Sequence, residues 1–359
     1  SIVMSLGTCL GAEQNVFEAG PEHGKRILLS SPVLSPLKFR SLVELNHEDY
    51  QSETISLHYD PKATDLKAAT LAVADAAVEA VKAGKVLLVL SDKAIQKNQL
   101  TVHSLMASGV VHHRLIKEGV RCDANIIVET GTARDSHHIA ALVGFGASAV
   151  YPYLSYNVIS DLIQSGEVIS DETIAYGMYR KGLNKGLLKI LSKMGISTIA
   201  SYRGAQLFEA VGLASEVVDS CFCGVTSRIQ GAGFEHIQED QARMAATAWL
   251  DRKPVAQGGL LKYVHGSEYH AFNPDVVQTL QVAVQTGDYS EYKKFASLVN
   301  NRTVASIRDL LKLKEVTPIS IDEVEPLEAI FPRFDSAGMS LGALSPEAHE
   351  ALATAMNRL

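Results

Sequence analysis

The sequence predicts an α/β protein built on a parallel sheet that helices cover on both faces. Two observations lead to this fold class. Short runs of consecutive apolar residues, such as 86–90 (Val-Leu-Leu-Val-Leu), are typical of strands buried on both faces. Alanine-rich or amphipathic segments alternate with these runs, and crossovers between parallel strands require that order.

Up to about residue 211 the chain repeats this alternation of helical segments and apolar runs, and glycines mark where helices end. Gly84, Gly119 and Gly195 each follow a segment with helical spacing. The predicted order is helix 63–82, strand 86–90, helix 105–118, strand 124–129, helix 137–143, strand 147–151, helix 183–194, strand 196–200 and helix 204–211.

The remainder of the chain changes toward helices and polar loops. Helices are predicted at 239–249, 274–286, 288–300 and 304–312, with a loop-rich stretch at 253–273. Residues 316–328 are acidic and contain two prolines, which indicates a linker. The domains are therefore predicted to be 1–325 and 326–359.

Residues 335–359 predict a strand, a glycine loop and a final helix. Ser345 and Pro346 suit the N-cap and first position of that helix, and Ala348, Leu352 and Met356 give it an apolar stripe. One strand and one helix cannot bury the stripe, because parallel strands gain neighbours only through further crossovers. We expect a fragment of a longer protein, whose last helix frays or docks on a neighbouring molecule.

Composition argues against several classes of protein. A net charge of -7 without any basic run indicates no surface that would attract nucleic acid. No apolar stretch approaches the ~20 residues of a membrane span. The amino terminus does not have the pattern of a secretory signal, so a cytoplasmic protein is expected. Four cysteines are too few and too dispersed for a disulfide framework: Cys9, Cys122, Cys221 and Cys223.

The segment 201–205 (Ser-Tyr-Arg-Gly-Ala) is a candidate anion site, because a strand is predicted to meet a helix there. Backbone donors near Ser201 and Gly204 at a helix N-terminus would bind an anion, and Arg203 would add charge. A tight turn of any α/β fold explains the same residues, and such turns outnumber ligand sites.

Other polar residues admit a functional and a structural interpretation. Glu129, Arg134 and Asp135 follow a predicted strand at the edge where α/β proteins bind ligands, yet ion pairs and helix caps explain them equally well. Adjacent histidines on a helix point about 100° apart, so a metal would need one residue from each of two pairs, His112–His113 and His137–His138. One residue between Cys221 and Cys223 is shorter than recurring zinc spacings, which favours free thiols.

Four segments resemble the large subunit of bacterial glutamate synthases, namely 107–117, 144–153, 185–206 and 339–359. The resemblance covers essentially the whole chain, and it looks closest to the NADPH-dependent bacterial type. It implies a central α/β domain like an incomplete (β/α) barrel. The first strand and helix of a (β/α)8 barrel that carries FMN would follow this domain.

The resemblance also implies functions that lie outside this chain. An amino-terminal amidotransferase releases ammonia from glutamine, and ammonia passes internally to the FMN site. There 2-oxoglutarate is converted to 2-iminoglutarate and reduced to glutamate, with an iron-sulfur cluster in the same subunit and NADPH acting through a small (beta) subunit. Cys9 does not match the family's catalytic cysteine, nor do Cys221 and Cys223 match its cluster ligands. We expect no catalytic residue, metal or bound cofactor in this chain.

Two stretches carry functional positions by resemblance. One resembles the first barrel strand, whose end approaches FMN: Met339, Ser340, Gly342 and Ala343. The other resembles the part of the central domain beside the ammonia route: Met4, Ser30 and Ser31. Small polar residues at strand ends also serve as ordinary caps.

Three hypotheses follow for function. The first is a non-catalytic scaffold and passage within a glutamate synthase. The second is a free-standing α/β enzyme that binds phosphate at 201–205 and uses Glu129 or Asp135 as acid or base. The third is a regulatory metal-binding module that uses His112 or His113 together with His137 or His138.

Overall fold

The computed structural model describes residues 4–250, 263–266 and 269–359. The chain forms two compact units, Ser1–Lys253 and Pro254–Leu359. Most of the predicted loop 253–273 lies outside the described residues, and the domain boundary near residue 325 stays a prediction. Among the described residues all strands belong to the first unit: β1 (Thr8–Leu10), β2 (Ile27–Leu29), β3 (Ser52–Ser56), β4 (His58–Tyr59), β5 (Leu87–Ser91), β6 (Leu100–Thr101), β7 (Asn125–Glu129), β8 (Ala147–Tyr151), β9 (Glu209–Leu213) and β10 (Thr226–Ala232).

Helices make up most of the remaining regular structure. Those of the first unit are α1 (Pro36–Val43), α2 (Leu66–Lys82), α3 (Ser104–Lys117), α4 (Ser136–Gly144), α5 (Tyr153–Gln164), α6 (Glu172–Met194), α7 (Ile199–Tyr202), α8 (Ser215–Cys221) and α9 (Phe234–Ala248). Those of the second unit are α10 (Pro274–Thr286), α11 (Tyr289–Asn300), α12 (Leu327–Ile330) and α13 (Pro346–Arg358).

A four-stranded parallel sheet forms the centre of the first unit, in the order β3-β5-β7-β8. The spatial order of the strands equals their order along the chain. Helices α2, α3 and α4 provide the crossovers, and their buried residues share one core with alternate residues of the strands, such as Leu88, Ile126 and Val128. Crossovers on one face with strands added in sequence are typical of a barrel. The α/β class with an incomplete barrel-like sheet is therefore confirmed.

The opposite face of the sheet is covered by the amino-terminal part of the chain. Leu87, Val89 and Ile127 point into a second core together with Leu10 of β1 and Leu42 of α1. The antiparallel ribbon β1–β2 lies on this face, and Val33 bridges in parallel to Val150 beyond it. A complete barrel would continue with another strand beside β8, whereas here the chain's own early segment occupies that edge.

Several predicted elements form as the sequence indicates. Asp65 caps α2 by accepting the N–H of Ala68, and β5 and β7 are buried at all five positions, as expected for central strands. The predicted helix 183–194 is the second half of the longer α6, which starts behind the N-cap Asp171 and ends at the left-handed Gly195.

The predictions of a strand at 196–200 and a helix at 204–211 are wrong. Thr198 makes only an isolated bridge to Ser5 and then caps the short helix α7 by accepting the N–H of Ser201. Gly204 and Gln206 have φ values of +67° and +54°, which no α-helix allows. The chain continues instead into β9, which pairs in parallel with β10.

Two predictions in the second unit are also wrong. The segment 304–312 forms only a 3₁₀ turn at Ile307–Leu310, because Asp309 accepts the N–H groups of Ala305 and Ser306 while it pairs with Arg302. The expected strand around Met339 is absent, and Ala343 closes a turn onto the carbonyl of Ser340. The final helix α13 does form behind its N-cap Ser345, and Leu352 on its apolar stripe is exposed.

Candidate functional site

The carboxyl ends of the parallel strands carry a buried cluster of polar side chains. Ser91 ends β5 and Glu129 ends β7, and Asp92 and Thr130 follow them directly. All four are buried. Neighbouring parallel strands end at the same edge of a sheet, which is where α/β proteins place their ligands.

Asp92 organises the loop that follows β7. Its Oδ1 accepts the N–H of Gly131 at 2.9 Å, and its Oδ2 accepts the hydroxyl of Thr130. Tyr153 donates its hydroxyl to the Asp92 carbonyl at 3.3 Å. Burial raises the pKa of Tyr153, and the nearby Asp92 charge adds to that effect. The Asp92 carboxylate therefore holds the strand ends together.

Glu129 lies on the neighbouring strand and has two partners. Ser91 donates its hydroxyl to Oε2 at 2.6 Å, and the ammonium of Lys93 lies 3.4 Å from Oε1. Hydrogen bonds and an ion pair thus occupy this carboxylate, as they occupy that of Asp92. Among the described residues no group of three or more His, Cys, Asp or Glu side chains could hold a metal ion.

Asp135 has the structural role that the sequence left open. Its Oδ1 accepts the N–H of His138 as the N-cap of α4, and this bond lowers the pKa of the Asp135 carboxyl. His138 Nδ1 lies 3.4 Å from Oδ1 of the same aspartate. Arg134 contributes its carbonyl as acceptor for the Tyr179 hydroxyl. These residues fix the start of α4.

The residues of the predicted anion site lie at the opposite end of the sheet. Ser201 lies inside the four-residue helix α7, and Arg203 follows the end of that helix instead of starting one. Arg203 donates to Thr8 Oγ1 at 3.3 Å, and its Nε is buried without a partner among the described residues. Gly204 donates its N–H to the Gly144 carbonyl. The anion site at these residues stays a prediction.

Of the four paired histidines, His112 is the one that lies near Arg203 and accepts a side-chain hydrogen bond from a neighbouring arginine. Its Nδ1 accepts the Nε–H of Arg121 at 2.9 Å. Burial lowers the pKa of His112 to about 3, and the Arg121 charge contributes to the shift. A neutral histidine whose Nδ1 already accepts a hydrogen bond has a structural role, while His137 and His138 lie on α4. The hypothesis of a metal module has no ligand set among the described residues.

The four cysteines carry free thiols. Cys221 is buried, and burial raises its pKa to about 12, while Cys223 donates its thiol to the Asp219 carbonyl. A thiol with a raised pKa is a poor nucleophile and a poor metal ligand.

The residues expected beside an ammonia route share one end of the β1–β2 ribbon. Thr8 pairs with Leu29, so the chain positions before Thr8 and after Leu29 leave the ribbon together. Ser31 is buried, donates to Asn184 Oδ1 at 2.6 Å and accepts the N–H of Val33. Met4 is half-buried against the first core, and Ser30 is exposed.

The segment expected near FMN belongs to the second unit. Ser340 and Ala343 form a turn, and Met339 precedes it without regular structure. A Cβ added at Gly342 would meet no atom within 4 Å. The described residues 339–343 therefore do not by themselves form a cradle for a flavin.

Sequence reasoning missed Asp92, Lys93, Thr130 and Tyr153 as members of the edge cluster. Their position directly after apolar strands was the available signal. The second hypothesis combined a phosphate site at 201–205 with Glu129 or Asp135 as acid or base. Glu129 ends β7, whereas Arg203 lies near Arg121, which precedes that strand. Five residues of strand span about 13 Å, so these groups do not form one site.

Comparisons with known proteins find similarity to glutamate synthases along the whole chain. The family model "Glutamate synthase central domain" matches residues 1–214, and "Conserved region in glutamate synthase" matches residues 270–359. The glutamate synthase [NADPH] large chain of Bacillus subtilis is 38% identical over 100% of this chain, and the ferredoxin-dependent glutamate synthase of Pyropia yezoensis is 39% identical over 100% of it. The chain spans 24% of the length of each of these relatives.

The similarity of this chain to solved structures is weak. A flavocytochrome b2 mutant with benzoylformate aligns with a TM-score of 0.33 and 12% identity, covering 48% of this chain and 38% of that one. That similarity is too low to establish a shared fold.

A parallel sheet with its crossovers on one face defines an α/β domain with an incomplete barrel-like sheet. The chain belongs to the glutamate synthase family. Among the described residues, no helix combines the length and apolarity needed to cross a bilayer.

Proposed function

We propose that this chain is the central connecting domain of a glutamate synthase large subunit, and that it supports ammonia transfer from a glutaminase site to an FMN site. At the FMN site 2-oxoglutarate is reductively aminated to glutamate. The match to the central-domain family model and the whole-chain identity to glutamate synthases support this proposal.

One structural observation supports a role in the passage of ammonia. Where the β1–β2 ribbon ends, Ser5 exchanges backbone hydrogen bonds with the segment after α6, donating to Ser197 at 2.8 Å and accepting from Ile199 at 3.0 Å. Ser31 and Asn184 are joined at the same end through their side chains. Hydroxyl, amide and carbonyl groups thus lie along the two chain segments that leave the ribbon at this end. Ammonia both donates and accepts hydrogen bonds, so we propose that it exchanges hydrogen bonds with side chains such as those of Ser31 and Asn184.

The chain itself is proposed to be non-catalytic. Asp92 and Glu129 of the edge cluster bind backbone or side-chain donors, and Asp135 caps a helix. A general acid or base must reach a substrate proton. Carboxylates that hold strand and helix ends together serve the fold instead.

Cofactors and partners belong to the remainder of the proposed enzyme. FMN and the iron-sulfur cluster are proposed to lie in other domains of the large subunit, with Met339, Ser340, Gly342 and Ala343 near FMN once that domain is complete. NADPH is proposed to act through the small (beta) subunit. A domain division at 1–325 and 326–359 and a cytoplasmic location complete the proposal.

Assays of the purified 359-residue chain test the non-catalytic assignment. The chain is incubated with glutamine alone, and separately with glutamine, 2-oxoglutarate and a reductant, beside an intact large subunit as the positive control. We expect product only from the intact subunit. Hydrolysis of glutamine or formation of glutamate by the chain alone would refute the assignment.

A further inference from the structure

A cavity of about 450 Å³ lies between helices α1 and α6, outside the edge cluster and outside the proposed ammonia route. Three cationic side chains line it: Lys38 and Arg40 from α1 and Arg180 from α6. No acidic residue is among its lining residues, although the whole chain carries a net charge of -7. The cavity therefore concentrates positive charge in an acidic protein.

These three cations have no counter-ion within the part of the chain that the structure describes. None of them is within ion-pair distance of a described carboxylate, and none donates a side-chain hydrogen bond to a described residue. Glu44, the nearest acidic residue along α1, lines a neighbouring cavity of about 220 Å³ together with Lys93. The cationic groups of the larger cavity are thus available to an external anion.

The start of helix α1 lies at the same cavity. Ser35 and Pro36 at the start of α1 line it, so the positive end of that helix faces the same space. The Ser35 hydroxyl oxygen accepts the Lys38 N–H at 3.3 Å, while Pro36 has no N–H to offer. Thr173 and Tyr176 on α6 complete a wall that combines a hydroxyl with an aromatic ring.

From this arrangement we propose that the cavity between α1 and α6 is a binding site for a small phosphate-bearing ligand. Arg40 and Arg180 supply planar guanidinium groups, which match phosphate oxygens in pairs, and Lys38 supplies a further charge. A phosphate monoester carries a charge of about -1.5 to -2 at pH 7 and so balances three cations better than one carboxylate does. The cavity is large enough for an organic group beside the phosphate.

Titration of the 359-residue chain with inorganic phosphate tests the proposal. Calorimetry in a phosphate-free buffer is expected to show saturable binding to the unmodified chain. Arg180→Gln and Lys38→Gln are each expected to weaken binding by about tenfold, which corresponds to roughly 1.4 kcal/mol. Lys189→Gln is the matched control, because Lys189 is an exposed cation on the same helix α6 that does not line the cavity.

The outcomes separate the alternatives. Absence of saturable phosphate binding overturns the proposal, and so does an equal loss in the Lys189 control, which would indicate only non-specific charge attraction. Acetate binding as tight as that of phosphate would assign the cavity to a carboxylate instead and would also overturn it. Unchanged thermal unfolding of the variants shows that lost binding does not come from lost folding. This site is independent of the ammonia route, so either proposal can fail without the other.

Discussion

Arg121 donates its Nε–H to Nδ1 of His112 at 2.9 Å, and this contact joins helix α3 to the start of two sheet strands. The two terminal nitrogens of the Arg121 guanidinium group donate to the carbonyls of Ala124 and Gly146, which precede β7 and β8. Burial lowers the pKa of Arg121 to about 10, so it stays charged at neutral pH. A neutral His112 is the partner that accepts from this cation.

The lowered pKa of His112 predicts a specific acid sensitivity. In the folded chain the His112 imidazole binds a proton only near pH 3, whereas a histidine in the unfolded chain binds one near pH 6.5. The unfolded state therefore gains a proton first as the pH falls. Neutral His112 makes its full contribution to the free energy of unfolding above about pH 6.5. That contribution is lost progressively as the pH falls to about 3, at up to about 1.4 kcal/mol per pH unit.

Urea unfolding of the first unit, followed through the fluorescence of Trp249, measures this effect between pH 7 and pH 4. Trp249 is the chain's one tryptophan and lies in that unit. His112→Gln keeps an acceptor for Arg121 but does not titrate, so its stability should fall less steeply with acid than that of the unmodified chain. His23→Gln, at an exposed histidine, should leave the slope unchanged. Identical slopes for all three proteins would contradict the prediction.

Gly146 is predicted to be intolerant of any side chain. Its φ is +110°, and an added Cβ would lie 2.6 Å from the ring of His112. Gly146→Ala should therefore destabilise the first unit by about 1–3 kcal/mol through backbone strain and displacement of His112. Gly84→Ala provides the comparison, since φ there is +87° but no atom lies within 4 Å of the added Cβ. Urea midpoints that shift equally for both variants would exclude the contact with His112.

Local sequence signals predicted the central sheet well and its surroundings poorly. The apolar runs of β5 and β7 are buried on both faces, so their composition alone identifies them. Strand β3 has four polar residues and one apolar residue, Ile55, and it depends on pairing with β5, a contact that local pattern does not encode. Between residues 196 and 213 the apolar pattern indicated a strand and a helix, but the positive φ values at Gly204 and Gln206 reverse that order.

The site could be predicted only in part for a similar reason. Glu129 was recognisable because it ends an apolar run at the functional edge of a parallel sheet. Its partner Ser91 ends strand β5 and its partner Lys93 follows that strand, 38 and 36 residues away in sequence, and only the register of β5 against β7 brings them together. The bond between His112 and Arg121 likewise depends on how α3 packs over the sheet.

Asp92 is predicted to be a structural residue of the edge cluster. Asp92→Ala leaves the Gly131 N–H and the Thr130 hydroxyl without their acceptor in a buried position, which should cost about 2–4 kcal/mol. The matched variant Asp60→Ala removes an exposed carboxylate that accepts the Lys62 N–H, and it should cost less than about 1 kcal/mol. Equal urea midpoints for the two variants would show that Asp92 does not organise the loop after β7.

The coupling ratio of an intact large subunit tests the central claim most directly. Ser30→Trp places a large ring where the β1–β2 ribbon ends, and Ser170→Trp makes the same change at a serine in the loop before α6. Glutamine hydrolysed and 2-oxoglutarate consumed are measured together, with free ammonium as an alternative nitrogen source to check the FMN site. We predict that the Ser30 variant hydrolyses more glutamine than the 2-oxoglutarate it consumes while its ammonium-dependent activity is retained, and that the Ser170 variant keeps the two amounts equal. Equal consumption in the Ser30 variant, at unchanged rates, would contradict a passage for ammonia at this end of the ribbon.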